Sequence, residues 1–165
     1  MNRPIRLASA ITVMTFGAIA CSKAPDEAAV VDATSVDGDA SAKLALPRSA
    51  APEGARVYFV EPVDGASVTS PVTVVFGADD IAVVPAGDTT ANSGHHHLLI
   101  NTGLPDVTQP IPKDAQHVHF GMGQTDATIE LPPGTHTLQM LLGDYLHIPH
   151  EPPITSDVIT ITVTE

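Results

Sequence analysis

From Arg56 onward, apolar and polar residues alternate in short runs separated by turn formers, the period-two pattern of half-buried strands. Residues 56–60 (RVYFV) read as a first strand, and the EPVDG sequence at 61–65 turns the chain. Residues 71–78 (PVTVVFGA) form a second, with proline at its start, where no ladder donor is required. A loop over 79–93 follows, with a short extended piece at 81–84, and residues 95–101 make the third strand. Residues 104–116 hold three prolines and are irregular. Further strands fall at 117–120, 126–131, 135–142 and 158–164, with a Pro132-Pro133-Gly134 turn and a loop over 143–153 between them. No helical period appears in this region. About seven short strands with these turn signals predict an all-β fold, a β-sandwich.

The chain before residue 55 obeys no such pattern. Residues 21–54 are rich in Ala, Ser, Asp and Pro, and Val30, Val31, Leu44 and Leu46 are too sparse to bury a face. This composition reads as a disordered tether. A short helix over 26–32 is the competing reading, marginal in isolation. Residues 1–20 have Arg3 and Arg6, then an apolar run over 7–19, then small residues. That is the layout of a secretory signal, too short for a comfortable membrane span. The sole cysteine, Cys21, follows at once and resembles the lipobox of bacterial lipoproteins. The resemblance implies cleavage before Cys21 and lipid on its sulfur and amine, and Ser22 next to it points to the outer membrane. A plain signal cut near Ala20, with a free thiol left over, is the alternative. The expected organisation is thus a lipoprotein signal peptide (1–20), a tether (21–54) and a β-sandwich domain (55–165).

Charge narrows the partners. Loss of residues 1–20 removes two of seven basic residues and no acidic one, leaving five against nineteen and a formal net charge of −14. Nucleic acid and anionic lipid both repel such a chain, so the expected membrane contact is the lipid on Cys21 and no nucleic acid is bound. With Cys21 consumed, no disulfide is available and burial alone holds the core. The hydrophobic content is 43% but the aromatic content only 4%, with no Trp, so that core is Val, Ile and Leu.

Candidate chemistry lies in the histidines. All eight fall between His95 and His150. Side chains alternate across a strand, so His95 and His97 share one face and His96 the other; His117 and His119 share a face in the same way. Two such pairs on neighbouring strands would offer four imidazole nitrogens to one cation, and imidazole suits zinc or copper. His147 and His150 add a loop pair at a spacing of three, with Asp144 as a ligand, a second-layer acceptor or a turn cap. Met122 and Met140 are soft donors, although Met140 alternates with Leu138 and Leu142 as core residues do. His96 reads as a core or sheet-face residue, and His136 as a partner of backbone at a turn. A nucleophile elbow, a phosphate-cradling glycine loop and a free thiol nucleophile are all lacking, so the chain does not read as an enzyme; a metal-dependent hydrolase or oxidoreductase built on the histidines is the alternative.

Residues 131–138 (LPPGTHTL), with the strand after them, resemble the E–F corner of bacterial immunoglobulin-like domains. From Pro62 to Val163 the chain is similar to the bacterial envelope family DUF4399, through GHHHLLIN (94–101), HFGMGQTD (119–126), LPPGTHTLQMLLGD (131–144) and HIPHEPP (147–153). Asn101 stands where the family pattern leads one to expect an acidic residue. The resemblance implies an immunoglobulin-like fold and a set of positions, and no activity. The expected function is a lipid-anchored, periplasm-facing domain that binds copper or zinc through His95, His97, His117, His119, His147 and His150, for buffering or delivery. The alternative is an interaction module for an envelope protein, a peptide or a glycan, its histidines serving structure.

Overall fold

The computed structural model describes residues 46–165, so the signal, Cys21 and most of the tether lie outside the described residues. These residues form nine strands and no helix. The strands are β1 (Arg56–Glu61), β2 (Ser67–Thr69), β3 (Val72–Asp79), β4 (Ala82–Val83), β5 (Ser93–Ile100), β6 (His117–Phe120), β7 (Asp126–Ile129), β8 (Gly134–Gly143) and β9 (Ile159–Thr164). One sheet has the order β1-β3-β7; the other runs β2-β9-β8-β5-β4, with β6 also paired to β5. In immunoglobulin lettering these are A-B-E against G-F-C, the order of a Greek-key sandwich. The sequence pattern missed β2, a three-residue strand parallel to β9. It forms because the turn after β1 carries the chain across to the other sheet, where Asp64 accepts a hydrogen bond from the Thr160 amide at 2.7 Å.

The interior is mostly aliphatic. Val72, Val74 and Phe76 of β3 meet Leu98 and Ile100 of β5, Leu138, Met140 and Leu142 of β8, and Ile161 and Val163 of β9. Each such side chain contributes about 1.5–3 kcal/mol on burial. Strand β9 alternates perfectly, buried and exposed, as a strand with one wet face should. Strand β5 is buried at all eight positions. Its inner face packs on the opposite sheet, and its outer face is roofed by two loops, one bringing Ile111 onto Leu99 and Leu141, the other carrying residues 144–150.

The E–F corner is closed by His136. Asn101 Oδ1 accepts from the Thr137 amide at 2.9 Å, so its amide nitrogen donates to His136 Nδ1, also at 2.9 Å. The Nε2–H of His136 then donates to the Pro132 carbonyl at 2.8 Å. A ring reaching back four residues to backbone does here what a tyrosine hydroxyl does in the tyrosine corner. Asn101 adopts a positive φ of 54°, which asparagine tolerates. Asn101→Ala is expected to cost about 1–3 kcal/mol, chiefly by stranding the ring nitrogen of the buried His136; chemical denaturation measures it.

The end of the tether region is not loose. Residues 48–51 lie along 149–151: Ala50 bridges Glu151 in parallel, and the Ala51 amide donates to the Glu151 carbonyl at 2.9 Å. Four residues without periodicity give no sequence signal for this, because the contacts are made by backbone and by two polar side chains.

Candidate metal centre

The register between β5 and β6 sets His97 opposite His119, and β5 itself places His95 two residues from His97 on the same outward face. In consequence three rings converge. The ring centroids of His95, His97 and His119 stand 4.9–5.0 Å apart. One nitrogen from each lies within 4.8 Å of the other two, so these residues could hold a metal ion. The Nε2 atoms of His95 and His97 are 3.1 Å apart. Two nitrogens bound at 2.0–2.1 Å to a tetrahedral ion lie about 3.3–3.4 Å from each other, so little movement separates this pair from a coordinating one.

A fourth ring arrives from the loop after β8. His147 stacks edge-on against His95 at 4.8 Å and lies 4.9 Å from His119. Its backbone has a positive φ of 64°, uncommon outside glycine. The amide of His147 donates to the Asp144 carbonyl at 2.9 Å, and its own carbonyl accepts from Ile111 at 2.8 Å. Strain of this kind persists where the surroundings impose it, and it gathers at functional sites.

Space for the rings comes from glycines. A Cβ on Gly121 would stand 2.3 Å from His119 Cε1, and one on Gly143 would stand 3.0 Å from His97 Nε2. Neither glycine has a positive φ, so the reason for glycine is room for imidazole.

The electrostatics favour neutral rings. Burial pushes His95 from 6.5 down to about 4, with His147 and His119 adding to the effect. Burial pushes His97 to about 2, with His95 and His119 next in size. His119 is lowered for the same first reason, and by His147. Each is therefore unprotonated at neutral pH, the form that binds metal. His97 Nδ1 and His119 Nε2 are buried without a hydrogen-bond partner.

The remaining candidates lie elsewhere. His117 is two register pairs farther along, opposite Leu99, and its Nδ1 is held by Asp114 at 2.8 Å. His150 sits against Gly94 on the inner face of β5, with Nε2 3.2 Å from the Ser93 carbonyl. A spacing of three along the 147–150 loop thus sends its two rings to opposite faces of one strand. His96 faces inward and packs on Phe76 at 5.1 Å, with both ring nitrogens unpartnered. Met140 is core, and Met122 is 82% exposed. Asp144 is a turn cap, Oδ1 accepting from the amides of Leu146 and Ile148 at 2.9 and 3.0 Å. The sequence signal for separating these roles is strand parity, which sets His96 apart from His95 and His97 but neither chooses between His117 and His119 nor says anything of a loop.

Residues 74–164 match the family described as a domain of unknown function, DUF4399. No curated protein and no solved structure matches the chain.

Proposed function

This chain belongs to the DUF4399 family, and on that premise we propose that it binds one transition-metal ion, copper or zinc, in a buffering or delivery role. His95, His97 and His119 are the proposed ligands, with His147 as the fourth. The observation that carries the reading is three imidazoles from two paired strands, two buried and His119 half-buried, with their nitrogens within 4.8 Å of one another. Neutral nitrogen donors without thiolate suit zinc and copper, and the order of divalent affinities places copper(II) first. Because the rings are already unprotonated, binding at neutral pH needs little proton release. In the same reading the domain faces the periplasm on an outer-membrane lipid anchor at Cys21, and it is not an enzyme.

Elemental analysis of the purified protein after incubation with copper or zinc and removal of loose metal tests this. One ion per chain is expected, reduced to background by His95→Ala with His97→Ala. Non-selective, sub-stoichiometric uptake that survives the double substitution contradicts it. It would favour the interaction module, in which a metal leaves the melting temperature unchanged.

A further inference from the structure

The loop that carries His147 is held from outside the sandwich. Arg48 Nε donates to the Pro149 carbonyl at 2.9 Å, and its guanidinium also reaches the His150 carbonyl and the Glu151 carboxylate. The Ser49 hydroxyl donates to Asp144 Oδ2 at 2.9 Å, and the Glu151 amide donates back to the Ser49 carbonyl at 2.9 Å. Asp144, 1% exposed, uses its other oxygen on the amides of Leu146 and Ile148. Those two amides flank His147. One carboxylate therefore ties the segment before the domain to the residues on either side of a ring that touches the cluster.

We propose that residues 48–51 clamp the 144–151 loop through Ser49 and Asp144, and so position His147 on the metal ion; this rests on the metal-binding reading above. Ser49 and Asp144 are positioning residues. With both carboxylate oxygens committed to hydrogen bonds, Asp144 acts through the loop and not as a ligand. Removing a ligand-orienting partner of this type typically costs about 10–100-fold in metal affinity. The clamp also lies where the chain enters the domain, so whatever displaces residues 48–51 would loosen the fourth ligand while β5 and β6 keep the other three.

The test uses the full chain and three versions of residue 49. Ser49→Ala is expected to speed hydrogen exchange at the Leu146 and Ile148 amides without added metal. It is also expected to weaken Zn2+ binding by about tenfold or more in a competition titration. In the copper(II)-loaded protein, the electron paramagnetic resonance spectrum should change toward fewer nitrogen ligands. Ser49→Thr, which keeps the hydroxyl, should restore all three properties. Faster exchange with unchanged Zn2+ affinity overturns the coupling, and unchanged exchange overturns the clamp itself. A parent chain that binds neither Zn2+ nor copper(II) overturns the metal-binding reading and the coupling with it, even where the exchange result stands.

Discussion

Gly121→Ala is expected to leave the sandwich folded and to weaken metal binding by about tenfold or more, at least the loss typical when a ligand-orienting contact is removed. The added Cβ would lie 2.3 Å from His119 Cε1 and 2.7 Å from Nε2, and its three nearest neighbours are all atoms of that one ring. A ring at the end of a side chain yields more readily than backbone, so the chain relieves the clash by turning His119 out of the cluster. Metal–nitrogen distances tolerate only about 0.2 Å of error, so such a rotation removes the ligand. A Zn2+ competition titration beside a thermal melt of the metal-free protein separates site from fold. Parent-like affinity in a folded variant would show that His119 does not coordinate.

Acid is expected to destabilise the metal-free domain well above the range in which ordinary carboxylates titrate. His95 and His96 are each pushed from 6.5 to about 4, mainly by burial, and His97 to about 2. The unfolded chain therefore binds more protons than the folded one below pH 6.5. Stability is full above that value and falls as the pH drops toward the folded-state values. A shift of the size seen at His95 is worth about 3 kcal/mol, so two or three such rings rival the whole stability of an ordinary domain. Thermal melts between pH 7 and pH 4 should fall steeply, and saturating metal should oppose the fall by holding the rings unprotonated. A melting temperature flat across that interval would mean that the rings are not buried neutral.

The sandwich was legible because strands announce themselves by period two, and residues 56–60, 71–78, 117–120 and 158–164 begin or end within two residues of β1, β3, β6 and β9. The same parity separated His95 and His97 from His96 and predicted a His-rich outward face. It did not say which residue of β6 stands opposite which of β5. That register, His97 against His119, chooses His119 over His117 for the cluster. Loop residues carry no period, so the divergence of His147 and His150 was invisible: one backbone adopts a positive φ, and the other ring tucks over a glycine. The docking of residues 48–51 was hidden for a similar reason. Polar residues that bond to backbone look like a solvated linker until their partners are in place.

Histidine-resolved NMR of the ring nitrogens during a Zn2+ titration tests the central claim most directly. The resonances of His95, His97 and His119 should move together and reach their end point at one equivalent, with His147 following. Those of His96 and His136 should stay put, one sealed in the interior and the other tied to Pro132. Rings that fail to respond, or that respond all alike with no end point, would contradict a metal centre built on β5 and β6.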